Sequence, residues 1–234
     1  MARVAKPPEV RRNELIDCAQ ALFFSVGYEA TTVADIIVRA GISKGGFYHY
    51  FDSKEALLEA FATRQIEAVM ASAQAGLHAM GQSPLQRLNG FFQHSQIWKA
   101  QSGPQLRAAF EAVLKPENDV LYQRIARATW RVVQPVIVRL IEEGKNAGLF
   151  DPPDVGITAE IMLNLALSRQ RTAAEAMAAL DAGDFAGAAG RLEARLAAEA
   201  AIIDRLLALP PGSVRLIEPG FLRTLLEALK APGA

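Results

Sequence analysis

The stretch that decides the fold is GISKGGFYHYFDSKEALL, residues 41–58. Gly41 can leave a helix through a positive φ, and Ser43 is a preferred N-cap for the helix that follows. That helix is unfavourable by itself, because Gly45 and Gly46 together cost about 2 kcal/mol of helix propensity relative to alanine. We therefore predict a short helix whose bare first turn lies against a flat, negatively charged surface.

The residues before this stretch predict two further helices. Thr32 and Asp35 have the spacing of a capping box, and Gly41 ends the helix that they begin. Upstream, apolar residues recur at helical spacing until Gly27 stops them. These apolar positions are Leu15, Ile16, Cys18, Ala19, Leu22, Phe23 and Val26 in the first helix, and Ile36, Ile37 and Ala40 in the second. The order predicts a three-helix helix-turn-helix head, followed by a longer helix from about Ser53.

Four short segments carry the most specific motifs of this head. They are Thr31-Thr32-Val33, Ala40-Gly41-Ile42-Ser43-Lys44-Gly45, Phe47-Tyr48-x-Tyr50-Phe51 and Ser53-Lys54-Glu55-x-Leu57-Leu58. With these spacings the chain resembles the TetR family of transcriptional regulators. The resemblance implies an all-α fold, with a helix-turn-helix DNA-binding domain at 1–52 and a helical effector-binding and dimerisation domain at 53–234.

The third helix of the head is the predicted reading helix. A helix of this kind lies in the major groove, so we expect Gly45, Gly46 and Tyr48 to be at base edges. Phosphates are expected to be bound by side chains that carry N–H or O–H donors. These are Thr32, Lys44, His49, Tyr50 and Lys54. Phe47 and Phe51 are expected to face the core of the head instead.

The overall charge gives no sign of a nucleic-acid partner. Lysine plus arginine number 25, and so do aspartate plus glutamate. The first twelve residues are locally basic, since they hold four lysine or arginine residues against Glu9 alone. This 1–12 segment is either a solvated tail or an arm that lies along phosphates or in a minor groove.

Composition excludes several other classes of protein. Cys18 is the single cysteine, which rules out an internal disulfide and suits a reducing cytoplasm. The N-terminus lacks the apolar core of a signal peptide, and no apolar run approaches the roughly 18 residues of a membrane span. His78 and His94 have no partners at metal-ligand spacing. We expect a cytoplasmic protein without metal, cofactor or membrane contact.

Glycine and proline divide the rest of the chain into helices. Asp52 and Glu55 have capping-box spacing for the first of them. The predicted helices are about 53–80, 85–100, 105–115, 116–145, 157–181, 185–209 and 214–230, with a loop at 146–154. The segment EEGKNAGLFDPPD at 142–154 is similar to the loop before the dimerisation helices of the TetR family. No alternating strand pattern occurs, so the predicted fold is all-α.

The helices at 157–181 and 185–209 have apolar and alanine faces that are broader than one core contact requires. Either they cover the core of their own subunit, or they pair with a second copy in a four-helix interface. The resemblance implies the homodimer, whose two heads would match a palindromic operator. We expect an interface of about 2,000 Å² or more, with Leu196 and Ile203 in it.

Aromatic residues with a few polar side chains occur in the middle of the chain. They are Phe91, Phe92, His94, Trp98, Phe110, Tyr122, Trp130 and Gln134. Residues of this kind either form ordinary core or line a pocket for a small, largely apolar effector within 85–170. Pro135 lies inside a helical run and frees the carbonyl of Arg131, which is either a simple kink or an acceptor for a ligand. Helix 53–80 is expected to be the only element that touches both head and core.

These observations favour a ligand-responsive, homodimeric DNA-binding regulator. We expect a repressor that a small apolar effector releases from a palindromic operator. One alternative is a helical protein-interaction module that uses an exposed surface of Tyr48, His49 and Tyr50. A less favoured alternative is an all-α enzyme, but no Ser/His/Asp, Cys/His or paired-carboxylate constellation stands in a recognisable motif.

Overall fold

The computed structural model describes residues 7–77, 81–101, 107, 114 and 119–229. Within these residues the regular elements are helices, and the fold is all-α as predicted. The helices are α1 Pro8–Ser25, α2 Val33–Ala40, α3 Lys44–Tyr48, α4 Lys54–Leu77, α5 Pro84–Gln101, α6 Asp119–Asn146, α7 Val155–Leu167, α8 Gln170–Asp181, α9 Phe185–Leu206 and α10 Phe221–Ala228. No helix in this part of the chain is long and apolar enough to cross a membrane.

The glycine after α1 and the caps of α2 and α3 lie where the sequence predicts. Gly27 follows α1 with φ +89°, and Gly41 ends α2 in the left-handed region with φ +61°. At the start of α2 the Asp35 amide donates to the Thr32 hydroxyl oxygen, and the Asp35 carboxylate accepts from the Thr32 amide, which is the predicted capping box. The Ser43 side chain caps α3.

The start of α4 differs from the predicted capping box. Ser53 is the N-cap, because its Oγ accepts from the amide of Ala56 at 3.1 Å. Glu55 accepts from the hydroxyl of Tyr28 at 3.3 Å. The pairing of Asp52 with Glu55 was therefore wrong by one residue, since Ser53 is itself a good cap and lies next to the helix.

A first cluster of buried residues, the head core, joins α1, α2 and α3 to the first turns of α4. Its members are Leu15, Ile16, Ala19, Phe23, Tyr28, Ile36, Phe47, Phe51, Leu57, Leu58, Ala60 and Phe61. Phe47 and Phe51 thus face the core, as predicted. The predicted stripe on α1 was too long, because α1 ends at Ser25 and Val26 is 57% exposed.

A second cluster, the body core, contains buried residues from α4 to α10. It begins with Met70 of α4 and ends with Leu229 after α10. Helix α4 therefore contributes to both cores. We had expected α4 to be the only element that touches both cores. This was wrong, because Tyr122 and Ile125 of α6 also pack against the head core.

The predicted helix at 157–181 is two helices, α7 and α8, which meet at Ser168. Here side chains bind the carbonyl oxygens that end α7: the Ser168 hydroxyl donates to Leu165 at 2.9 Å, and the Tyr122 hydroxyl donates to Leu167. Helix C-terminal carbonyls need such partners once the ladder stops. The break was not predicted because Tyr122 is distant in sequence.

The last predicted helix, 214–230, is also shorter than expected. The chain at 207–220 is not helical, and α10 covers only Phe221–Ala228. The buried carboxylate of Asp204 accepts from the amides of Gly212 at 2.7 Å and Val214 at 2.8 Å. These two bonds hold the segment before α10 against α9.

Candidate nucleic-acid interface

Helix α3 is held on one side and bare on the other. Phe47 is fully buried in the head core, and its ring centroid lies 6.2 Å from that of Phe51. On the opposite side Lys44, Tyr48 and His49 are exposed. One aromatic anchor therefore fixes a helix of five residues, and three polar side chains point away from the core.

The two glycines of α3 have different surroundings. A Cβ built on Gly46 would lie 3.3 Å from Oγ of Ser43, so the N-cap itself limits what this position can hold. A Cβ on Gly45 would meet nothing within 4 Å. No contact within the chain therefore requires glycine at position 45, although glycine is costly in a helix. An external surface that approaches the backbone closely would require it.

The predicted contact residues on α3 and just after it are only partly free. Lys44 is exposed and has no hydrogen bond or ion pair within the described residues. The rings of Tyr48 and His49 are exposed, but each leans edge-on against a neighbour, Phe47 at 5.3 Å and Tyr50 at 4.9 Å. Tyr50 packs in part against the head core. These contacts limit the directions in which the rings can point.

Thr32 and Lys54, two other predicted phosphate contacts, are already engaged inside the protein. The Thr32 hydroxyl donates to Oδ2 of Asp35 at 2.6 Å. The Lys54 ammonium donates to the carbonyl oxygens of Tyr28 at 2.9 Å and Thr31 at 3.0 Å. It also lies 4.1 Å from the centroid of the Tyr28 ring, within cation–π range.

Two ionisable groups beside the interface have shifted pKa values. Hydrogen bonds from the side chain and then the backbone of Thr32 lower the pKa of Asp35. Burial, followed by the nearby charge of Glu55, raises the pKa of Tyr28 well above its usual value of about 10. At neutral pH the capping carboxylate is therefore ionised, and the Tyr28 hydroxyl keeps the proton that it donates to Glu55.

Part of the predicted basic arm is helical. Residues 1–6 lie outside the described residues, whereas α1 already begins at Pro8, where proline is favoured at the start of a helix. Arg11 pairs with Glu14 at 2.8 Å, and the guanidinium of Arg12 lies 5.1 Å from the centroid of the Phe51 ring. The expectation that residues 1–12 form one tail or arm was therefore wrong for residues 8–12, which are the start of α1.

Sequence reasoning missed the long-range contacts that hold the head together. Lys54 with Tyr28 and Arg12 with Phe51 join residues that are far apart in the chain. The sequence contains each cation and each aromatic residue, but no local spacing predicts that the two lie in contact.

The predicted effector residues fall into separate environments. Phe91 is buried in the body core, and Trp130 packs partly against that core. Nε1 of Trp130 donates to Oε1 of Gln134 at 2.8 Å, one turn along α6. His94 is exposed on α5. The ring of Phe91 and the Trp130–Gln134 pair are thus associated with one core, whereas His94 is not buried with them.

Three further parts of the effector prediction can be placed. The side chains of Trp98 and Phe110 lie outside the described residues. Tyr122 packs on the head core and binds the end of α7. Pro135 is exposed, so it lies on the outer side of α6, where a proline curves a helix around a core. Among the described residues, no group of three or more His, Cys, Asp or Glu is placed to hold a metal ion.

The residues predicted at the dimer interface need correction. Leu196 and Ile203 of α9 are only 6% and 2% exposed within the single chain. They belong to the body core, so they cannot also face a partner. The exposed apolar side chains near them are Ile157 on α7 and Ala194, Ala197, Ala198, Ala201 and Ile202 on α9. The helical period was correct, but the face was misassigned because both faces of α9 are apolar.

A groove of about 310 Å³ adjoins this exposed face of α9. Ala197 and Ala201 line it on one side, and Val214, Leu216 and Ile217 of the segment before α10 line it on the other. The groove and the alanine face therefore share residues and form one continuous apolar surface.

Comparison with known proteins identifies the family. Residues 15–61, which contain most of α1, all of α2 and α3, and the start of α4, match the family described as bacterial regulatory proteins, tetR family. The head of this chain therefore matches the TetR family. This confirms the resemblance of the head motifs. The description of that family, bacterial regulatory proteins, agrees with the predicted regulator.

The curated relatives match less than half of the chain. The HTH-type transcriptional repressor KstR2 of Mycobacterium tuberculosis is 38% identical over 95 residues, which are 41% of this chain and 47% of that protein. The HTH-type transcriptional regulator BetI of Serratia proteamaculans is 38% identical over 102 residues, 42% of this chain and 51% of BetI. The chain thus spans about half the length of these relatives.

The fold extends over more of the chain than the sequence similarity does. The structure of the fatty acid degradation regulator FadR from Bacillus halodurans superposes with a TM-score of 0.55 at 17% identity. The match covers 82% of this chain and 94% of FadR. At this identity the likeness concerns the fold alone.

Proposed function

We propose that this TetR-family protein is a homodimeric transcriptional repressor that reads a palindromic operator with α3. The observation that carries the proposal is the bare first turn of α3, where Gly45 is open, Lys44 is unpaired within the described residues, and Phe47 anchors the opposite side. The repressor relatives, which match this chain over less than half of their length, support the direction of regulation.

In this proposal the domain at 1–52 binds the major groove. The backbone at Gly45 and Gly46 approaches the base edges, and Tyr48 contacts a base with its ring or hydroxyl. Lys44, His49 and Tyr50 bind phosphates on either side. The amide and the hydroxyl of Thr32 both donate to Asp35, so Thr32 binds a phosphate only by giving up one of these two bonds. Specificity then depends mainly on Tyr48, and affinity mainly on Lys44.

The test is operator affinity measured by fluorescence anisotropy. Duplexes selected from random DNA by the full chain would serve as operator. We expect Tyr48→Ala to cost about 1–3 kcal/mol and to relax base preference. Lys44→Ala should weaken binding to all sequences about equally and lower the salt slope by roughly 1. Unchanged affinity in both variants would show that α3 is not the reading helix.

We propose that two copies pair through α7 and α9. Ile157 is 60% exposed and Ile202 is 37% exposed, and between them α9 presents a face of alanines. Small side chains allow two helices to approach closely. The groove beside α9 extends this face and would hold apolar side chains of the second copy. An interface of the obligate type would bury about 2,000 Å² or more.

A pair of matched variants tests this interface by light scattering at micromolar concentration. Ala198→Glu places a charge on the exposed face of α9, whereas Ala71→Glu places the same charge on an exposed position of α4. We expect the wild type and Ala71→Glu to be dimers and Ala198→Glu to be monomeric. A dimeric Ala198→Glu protein, or a monomeric wild type, would contradict the proposed interface.

We further propose that a small, largely apolar effector binds within 85–170 and lowers operator affinity. The partly buried pair of Trp130 and Gln134 beside the body core supports this position, because it combines an aromatic surface with a polar group. Tryptophan fluorescence titrations with a panel of apolar compounds, with and without operator, test it. An affinity change of 5- to 150-fold, or about 1–3 kcal/mol, must appear in both directions. Identical effector affinity with and without DNA would refute the coupling.

A further inference from the structure

We propose that Tyr122 is a positioning residue for DNA reading, because it joins the head to the helices of the proposed dimer interface. The proposal rests on the proposed function and deepens it, since it concerns what fixes the distance between the two copies of α3. We refer to residues 119–125, at the start of α6, as the bridge.

The bridge is attached to the head by apolar packing and by an ion pair. Tyr122 and Ile125 pack against the head core. Nε of Arg124 donates to Oε2 of Glu59 in α4 at 2.8 Å. Glu59 is the neighbour of Ala60, which is itself buried in the head core. The start of α6 is therefore held against the head at several points.

The same bridge is attached to the junction of α7 and α8. The Tyr122 hydroxyl donates to the carbonyl oxygen of Leu167, the last residue of α7. Nε2 of Gln170, the first residue of α8, donates to Oδ1 of Asp119 at 3.1 Å. Burial raises the pKa of the Tyr122 hydroxyl, so at neutral pH this group keeps the proton that it donates. Tyr122 thus bonds the end of α7 with its hydroxyl while it packs against the head core.

The junction is in turn fixed to α9 by a buried carboxylate. Glu199 of α9 is 1% exposed, and its two oxygens accept from Nε of Arg169 and Nε of Arg195, each at 2.6 Å. A terminal nitrogen of Arg195 also donates to Oγ of Ser168 at 2.6 Å. Separation of the junction from α9 would leave a buried charge without its partners, which is costly. Ala198, the neighbour of Glu199, lies on the exposed face of α9 that we propose for the dimer.

These contacts give the head a second attachment to the body, in addition to α4. A head that is attached through one helix can pivot about that helix, whereas a second attachment at another point fixes its orientation. Because the bridge leads through the junction to α9, it fixes the head relative to the proposed dimer interface. The bridge should therefore set the spacing of the two copies of α3 on DNA.

Loss of the Tyr122 hydroxyl should change the spacing preference and leave each head intact. One base pair inserted between the half-sites moves them about 3.4 Å apart and turns one by about 35° relative to the other. A dimer with fixed heads should bind such a duplex poorly, and a dimer whose heads can pivot should lose less affinity. Removal of one neutral hydrogen bond changes an equilibrium constant by about 2- to 13-fold, which sets the size of the effect.

The experiment compares three variants of the full chain, each of which lacks one hydroxyl. Tyr122→Phe removes the bond to α7 and keeps the ring. Ser168→Ala removes an acceptor of Arg195 on the α9 side of the junction. Thr129→Val is the control on α6, because the Thr129 hydroxyl donates to the carbonyl of Ile125 in its own helix at 2.9 Å.

Fluorescence anisotropy is measured on three kinds of duplex. They are the selected operator, operators with one base pair inserted or deleted between the half-sites, and a single half-site. The temperature is one at which circular dichroism shows every variant to be folded. The decisive quantity is the ratio of the affinity for the selected operator to the affinity for the operators of changed spacing.

For Tyr122→Phe we expect this ratio to fall about 2- to 13-fold. The affinity for a single half-site should remain that of the wild type, because the head and its DNA contacts are unchanged. Ser168→Ala should lower the ratio in the same direction, and Thr129→Val should keep the wild-type ratio. If Tyr122→Phe does not fold, Ser168→Ala decides the proposal.

Several outcomes would overturn the proposal. A wild-type ratio together with a lower melting temperature in Tyr122→Phe would show a role in stability alone. An equal loss of affinity on all three kinds of duplex would show a damaged head. If the wild type binds no DNA, or binds operators of every spacing equally well, no preferred spacing exists and the proposed function fails together with this proposal. If the wild type prefers one spacing and Tyr122→Phe keeps that preference, only this proposal fails.

Discussion

Replacing Gly45 by alanine should make the protein more stable and a poorer DNA binder. The new Cβ meets nothing within 4 Å of its own chain, so it creates no internal clash. Alanine is favoured over glycine in a helix by about 0.8–1.0 kcal/mol. In a chain of this size such a gain raises the melting temperature by about 2–4 °C.

The same methyl group should clash with DNA. If the backbone at Gly45 lies against base edges, an added methyl group overfills that contact at a cost of about 1–3 kcal/mol. Operator affinity should then fall about 5- to 150-fold. Stability and affinity would thus move in opposite directions, which loss of folding cannot produce.

Two other glycines serve as comparisons in melting and anisotropy measurements. Gly90 of α5 also has nothing within 4 Å of a built Cβ, so Gly90→Ala should stabilise the chain and leave operator affinity unchanged. Gly46→Ala should gain less stability, because its Cβ would press on Oγ of Ser43 at 3.3 Å. A Gly45→Ala protein that is more stable and binds operator as tightly as the wild type would refute the close approach of DNA to α3.

Three further substitutions test other parts of the structure. The pKa of Asp35 is lowered in the folded state, so the stabilisation by its carboxylate is complete above the unfolded pKa of about 3.9 and disappears as pH falls through the folded pKa. The melting temperature of Asp35→Asn should therefore depend less on pH below about 4 than that of the wild type. Gly144→Ala should destabilise by about 1–3 kcal/mol in urea unfolding, since its Cβ would lie 2.0 Å from the buried ring of Phe150. Leu196→Asp should unfold the subunit and not merely dissociate the dimer, because Leu196 is buried within one chain; a folded monomer on gel filtration would contradict this.

The head could be predicted closely because its helix ends depend on neighbouring residues. The caps at Thr32 and Ser43 and the left-handed Gly41 each involve residues within a few positions of one another. The burial of Phe47 and Phe51 follows from the same short helix. Physics at this range can be read directly from the sequence.

The rest of the chain depends on contacts between distant residues. The break between α7 and α8 involves Tyr122, and the segment before α10 is held by bonds to Asp204, ten residues earlier than Val214. The interior and exterior faces of α9 could not be separated, because Leu196 and Ala198 both lie in an apolar, alanine-rich sequence. Periodicity identifies a helix with two apolar faces, but only packing decides which one its own subunit covers.

The hydrogen bonds of Lys54 in the candidate site also depend on residues that are distant in sequence. The family motif places a lysine after Ser53, and a lysine in a DNA-binding head suggests a phosphate contact. Only the fold brings the carbonyls of Tyr28 and Thr31 within reach of its ammonium.

The most direct test of the central claim is selection of bound duplexes from a fully randomised DNA pool by the full chain. A dimer that reads successive major grooves with two copies of α3 should enrich a two-fold symmetric motif, with half-sites about 10 base pairs or about 34–36 Å apart. The Tyr48→Ala protein should enrich the same motif with weaker preference at the central bases of each half-site. If the wild type enriches no motif, or if Tyr48→Ala enriches one identical in every position, α3 does not read DNA and the account is wrong.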